Sequence, residues 1–263
     1  WAFDLKPSGA SFEFKSEQDI VSGVLPTGLR FGPDGALYFS DWINGWRTKD
    51  YGRVWKLDVA ESENDLKVVR KETARLMQLS YKEQSKETLA DLLGYGDQRI
   101  RLKAQFELVK RGKKGAIIFQ DKIVQKENQL ARVHSIWGIG QLAAKELTYA
   151  KVLLPLLKDS DPEIVAQTAK VFGDVRYTKA GRDLIPLLAH VHPRVQFFGA
   201  QALGRIKFNE AIDPLLAMLK ANNDEDVYVR HAGVLALSRI GNAERMIALA
   251  KNATSSLRLV AIL

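Results

Sequence analysis

The sequence predicts a mainly helical protein, an α-solenoid of paired-helix repeats preceded by a short β segment. Three features carry that reading. A turn-anchored motif recurs in six registers, a proline recurs in the helix before it, and the apolar period changes from two to helical near Asn64. We place the boundary at residue 60, with a β segment over 1–60 and the solenoid over 61–263.

In the β segment, Trp1–Leu5 and Ser11–Lys15 alternate on either side of a turn at Pro7-Ser8-Gly9. Two short strands then flank Gly32-Pro33-Asp34-Gly35, where proline presets φ and glycine accepts the left-handed position. A further strand, Arg53–Asp58, follows a loop. Aromatic-plus-glycine hairpins of this kind are how propeller blades read in sequence, and this stretch holds little more than one blade. Lone strand edges predict cover by the first helix or by another chain.

A first long helix is expected to bury Leu66, Val69, Thr73, Leu76 and Leu79 on one face. The repeats follow. Their apolar anchors are Ile100, Ala131, Ile164, Val195, Val229 and Leu257, spaced by 31, 33, 31, 34 and 28 residues. Four positions on stands a small residue: Ala104, Ser135, Thr168, Gly199, Gly233 and Ala261. Asp97, Asn128, Asp161 and Asp226 suit N-caps of the second helices. Arg101, Arg132, Arg230 and Arg258 recur one past the anchor and predict hydrogen bonds to a neighbouring turn. In the first helices, Pro155, Pro186 and Pro214 predict a kink shared by the repeats. Such units bury their faces on one another.

Composition narrows the chemistry. The 263 residues include no cysteine, which excludes a disulfide framework, a thiolate zinc site, a cysteine nucleophile and haem attachment through C-x-x-C-H in this chain. No run of 18 apolar residues occurs, so no membrane span is expected. The net charge of +8 resides in the helices, with 7 basic against 8 acidic residues before position 61. Its densest patch is Lys110-Arg111-Gly112-Lys113-Lys114, and a nucleic-acid-binding solenoid is therefore the rival reading. The start on Trp1 and the stop inside an apolar helical period predict a segment of a longer polypeptide.

The pattern Asp97, Ile100, Arg101, Ala104 and the run Ala202-Leu203-Gly204-Arg205-Ile206 resemble HEAT repeats of the phycobilisome-lyase type. A second resemblance spans more of the chain. Residues Gly28–Trp42 and Gly52-Arg53-Val54-Trp55 look like the last blade of a sugar-dehydrogenase-like propeller. His134–Leu142 and Arg230–Val234 look like the HEAT segment that follows it in bacterial membrane-bound dehydrogenase-like proteins. That resemblance implies an exported or periplasmic parent that uses a quinone and carries a cytochrome c domain with haem c. This chain would be a connecting scaffold, holding no cofactor itself and contacting a neighbouring domain or another protein. A quinone-dependent sugar dehydrogenase, active only with the missing blades, is the enzymatic alternative.

No catalytic constellation is present: there is no P-loop, no G-x-S-x-G and no H-E-x-x-H. His190-x-His192 lacks a nearby carboxylate and makes a poor metal site. Asn252-Ala253-Thr254 fits a glycosylation triplet of a kind frequent by chance. If the anchor and small columns face the core, a second stripe faces the concave surface. It contains Lys103, Phe106, Lys110, His134, Trp137, Gln141, Gln167, Lys170, Asp174, Gln201 and Arg205. Trp137 either stacks on a ligand there or fills the junction between repeats. In the blade, Asp41, Trp42, Trp46, Arg53 and Trp55 are ligand candidates, with an Asp41–Arg53 ion pair as the structural alternative.

Overall fold

A computed structural model describes residues 1–43, 52–60 and 62–252. Trp46, the register of Leu257, Arg258 and Ala261, and the Ala253-Thr254 end of the glycosylation triplet lie outside them.

The predicted strands all form, but in two sheets instead of one blade. β1 (Ala2–Ser8) and β2 (Ser11–Gln18) make an antiparallel hairpin. β3 (Pro26–Phe31), β4 (Leu37–Asp41) and β5 (Arg53–Leu57) make a separate antiparallel meander. Gly23, at φ +74°, turns the chain between them. The hairpin also makes contacts that no local pattern signals: its tip reaches the fourth and fifth repeats. The Ala10 N–H donates to Asp226 Oδ2 of the fifth at 2.7 Å, and the Arg194 guanidinium of the fourth lies 5.7 Å from the Phe12 ring.

The meander is held to the solenoid through its turn. Gly35 takes the left-handed conformation expected there, at φ +82°. Asp34 accepts from the Tyr38 hydroxyl at 3.0 Å and pairs with Lys56 at 2.9 Å and Arg70 at 3.3 Å. The Lys56 ammonium holds its carboxyl down at about 2. From the other side Arg99 Nη1 donates to the carbonyls of Phe31 and Gly32 at 3.0 and 2.7 Å.

Of the two covers expected for the sheet edges, the first helix and another chain, α1 (Asn64–Gln78) does not supply one. β3 is exposed throughout and β5 over its first four residues. Nor is the predicted face of α1 buried along its length. Thr73 and Leu76 are buried, whereas Leu66 and Val69 are more than half exposed, because the solenoid meets only the second half of the helix.

The repeats pair first helices with second helices. The second helices are α3 (Gln98–Lys110), α5 (Gln129–Ala143), α6 (Pro162–Asp174), α8 (Pro193–Arg205) and α10 (Val227–Ile240). α2 (Lys86–Leu92) and α4 (Lys113–Ile123) precede the first two. The predicted proline kink takes another form. Leu147–Lys158 and Ile185–Ala189 are 3₁₀ helices, the latter continuing the single α-turn α7 (Gly181–Leu184). A proline has no N–H for the i→i−4 ladder and its ring crowds the carbonyl four residues back, and at both sites the chain winds as 3₁₀ instead of α. Pro214 lies in the first turn of α9 (Ile212–Asn222), where no partner is needed, and that helix stays α. α11 (Ala243–Asn252) ends the described chain.

The columns behave as read. The described anchors are buried, with Ile100, Ile164, Val195 and Val229 at 0% exposure. The small column admits the partner helix: a Cβ on Gly199 would sit 2.9 Å from Leu187 Cβ, and one on Gly233 2.8 Å from Leu219 Cδ2. Asp97, Asn128, Asp161 and Asp226 cap their helices as expected. A further column was not singled out. Nine residues past the anchors stand Gly140, Gly173 and Gly204, where consecutive second helices touch. A Cβ on Gly173 would lie 2.8 Å from Ala202 Cα, and one on Gly204 2.6 Å from Ala236 Cα. These are backbone contacts that cannot yield.

Gly204→Val should therefore lower stability by about 2 kcal/mol in urea denaturation, even though valine is the better helix former. Gly96→Ala, with nothing within 4 Å of the added carbon, should change it by less than about 0.5 kcal/mol.

Candidate interaction surface

The second-helix stripe is a connected chain of side chains. His134 lies buried at 2% exposure between α3 and α5. Arg101 Nε donates to its Nε2 at 3.0 Å, which leaves the proton on Nδ1, and that nitrogen bonds Gln105 Oε1 at 2.7 Å. Gln105 Nε2 in turn donates to Gln141 Oε1 at 3.0 Å. The imidazole edge meets the Trp137 ring at 5.0 Å. Trp137 Nε1 donates to Gln167 Oε1 at 2.9 Å, and Gln167 Nε2 to Glu163 Oε1 at 2.7 Å. Glu163 closes the series as a bidentate acceptor for Arg194 in α8, at 2.6 and 3.1 Å. Arg194 also faces the Phe198 ring at 5.1 Å. One chain of contacts thus runs from α3 to α8 and on to the hairpin.

The stripe residues divide accordingly. His134 and Gln167 are buried, Trp137 is half-buried at the repeat junction, and Gln141 is exposed but bonded. Lys103 donates to the Met77 carbonyl at 2.6 Å and lies over Tyr81. Phe106 and Lys110 are exposed at one end, and Gln201 is half-buried. Lys170 and Arg205 both pair with Asp174 at the other end. Sequence reasoning passed over Gln105, Glu163 and Arg194. The signal was present in spacing, Gln105 and Arg194 standing roughly one repeat from His134 and Glu163, and Glu163 one helical turn before Gln167, but the partners across helices are what reveal it.

The arginine column meets the expectation only at Arg132, which reaches the neighbouring repeat's turn; Arg101 bonds the turn before its own helix, and Arg230 pairs with Asp224 in its own turn. Arg101 Nη1 donates to the carbonyls of Tyr95 and Gly96, and Arg132 bonds the Ile123 carbonyl and Asp159 of the next repeat. His190 and His192 face one another at 5.4 Å, with His190 Nδ1 accepting from the His192 N–H.

In the meander, Asp41 uses both oxygens internally. Oδ1 accepts from the Leu25 N–H at 2.9 Å and Oδ2 from Trp55 Nε1 at 3.0 Å. These bonds, the indole's first, hold its carboxyl below the usual range. Arg53 stands opposite Asp41 in the ladder and lies over Trp55 at 5.6 Å instead of closing the predicted ion pair. Trp42 is about one-third exposed.

Two of the cavities among the described residues lie away from the middle of the stripe. One of about 990 Å³ is formed where Ser8 and Gly9 of the hairpin meet Ile185, Pro186, Met218 and Tyr228. The other, of about 610 Å³, lies between the C-terminal ends of α6, α8 and α10. No helix among the described residues is long and apolar enough to cross a membrane.

Comparison with known proteins agrees with this architecture in one region. Residues 181–262 match the family model for HEAT repeats. No curated protein matches the chain. Among solved structures it is similar to the CpcE–CpcF complex of phycocyanin lyase from Nostoc sp. PCC7120, at 17% identity, covering 68% of this chain and 75% of that one, with a TM-score of 0.47. Two engineered proteins are similar at 17% and 16% identity, each over 68% of this chain and 94% and 96% of theirs, with TM-scores of 0.43 and 0.41.

Burial, and then the Arg101 charge, pushes His134 down to about 4. An unfolded histidine titrates near 6.5, so between those values the unfolded chain binds the proton and the folded one does not. Stability is then full above about 6.5 and lost as pH falls toward about 4. From about pH 7 to pH 5 this residue alone should remove about 2 kcal/mol. His134→Gln should flatten that part of the urea-midpoint profile.

Proposed function

We propose that this chain is a non-catalytic scaffold, a HEAT-repeat module that holds proteins or domains in fixed relation. The observation that carries this is the apolar surface of the β segment. Phe3, Leu5, Phe12 and Phe14 on the hairpin, and Leu29, Phe31 and Val54 on the meander, are each half or more exposed. Patches of this kind mark surfaces that a partner covers. The polar groups of the stripe support the same reading, since most are spent on one another.

The parent in this proposal is a larger dehydrogenase-like oxidoreductase, exported or periplasmic, and its propeller is the domain that covers those strands. The support is the likeness of Gly28–Trp42 and His134–Leu142 to that family. A quinone and a haem c would belong to other parts of the parent. The residues here do not fit them: no cysteine is available for haem attachment, and both Asp41 oxygens are already bonded.

Dye-linked oxidation of sugars in the presence of added quinone tests the proposal. The chain alone should give no turnover above the protein-free blank, while the parent with its upstream blades should reduce the dye. Turnover by the chain alone would overturn the scaffold reading.

A further inference from the structure

The cavity between the second-helix ends is built from a position that the repeats share. Twelve residues past four of the five described anchors the chain takes positive φ, at Gly112, Arg176, Lys207 and Gly241, with φ of 57°, 54°, 54° and 76°, whereas Ala143, the equivalent residue past Ala131, stays helical. Glycine fills that position at the two outer sites, as the conformation favours. At the two inner sites, adjacent in the array, a cation replaces it. Both of these line the cavity, together with Arg205, Arg239, Asp174 and Thr178.

The cations are not there to finish the helix ends. The last carbonyls are already bonded by the turns: Arg176 and Tyr177 N–H to Gly173 and Phe172, and Lys207 and Phe208 N–H to Gly204 and Leu203. Arg176 and Lys207 are exposed. Arg239 Nη1 is buried without a hydrogen-bond partner. Four cations therefore line the cavity against one carboxylate, and that carboxylate, Asp174, is already shared by Arg205 and Lys170. The glycine contacts of Gly173 with Ala202 and Gly204 with Ala236 bring the three helix ends close enough to share a ligand.

We propose that this cavity binds a phosphoryl group, as free phosphate or as a small phosphate monoester. A dianion offsets most of the excess positive charge. Its oxygens match the guanidinium donors of Arg176 and Arg239, the Lys207 ammonium and the Thr178 hydroxyl. The site stands independently of the scaffold reading.

Calorimetric titration of the full chain with inorganic phosphate, and separately with glycerol 3-phosphate, tests it at low ionic strength. Saturable binding at one site per chain is expected for at least one of them, and the tighter of the two tells free ion from ester. Arg176→Gly with Lys207→Gly should weaken that binding by about tenfold or more without lowering the melting temperature, because glycine suits the backbone there. Arg239→Met should weaken it by a similar factor. Absence of saturable binding to both probes, or unchanged affinity in the double glycine variant, would overturn the proposal.

Discussion

The molecule depends on how closely consecutive second helices approach. At Gly173 against Ala202, and at Gly204 against Ala236, there is no room for a single added carbon. Packing at that distance is unforgiving, because backbone cannot move aside as a side-chain tip can. It sets the spacing across which every other inter-repeat interaction must reach. Glutamine, tryptophan and arginine side chains span it along the stripe, and the turns at the helix ends converge at its far side.

Two consequences follow for the surface. The polar stripe is tied across helix boundaries, since His134 bonds Gln105, Trp137 bonds Gln167 and Glu163 bonds Arg194, with the Gln167–Glu163 bond inside α6 joining the series. Its buried, neutral histidine is an acceptor for Arg101, so the network holds only while the proton stays off Nε2. The apolar strands have the opposite character. They are held to the solenoid by a few polar ties, at Asp34, Arg99 and Asp226, and leave their hydrophobic side chains outward. A rigid array carrying an uncovered apolar segment is what a joining module requires.

Much of this was legible in sequence because it is periodic. Anchors such as Ile164 and caps such as Asp161 follow from local rules applied in register, and the turn at Gly32–Gly35 follows from residue conformations alone. What escaped was set by tertiary partners. The contact of Ala10 with Asp226 joins residues more than two hundred positions apart, and no local pattern encodes it. Leu66 and Val69 sit at helical spacing but find nothing to pack on. His134 and Gln167 read as surface positions because helical spacing gives a direction but not the height of the neighbouring helix. Proline at Pro155 and Pro186 signalled a disturbed helix, and only the structure distinguishes a kink from 3₁₀ winding.

The glycine column couples neighbouring repeats into one cooperative unit. Native-state amide hydrogen exchange on a Gly173→Val variant tests it most directly. Protection should fall together across Pro162–Asp174 and Pro193–Arg205, while exchange in the Ala2–Gln18 hairpin stays as it was. Loss confined to the last turn of the substituted helix, with the next helix fully protected, would mean that the repeats are not coupled through the glycine column.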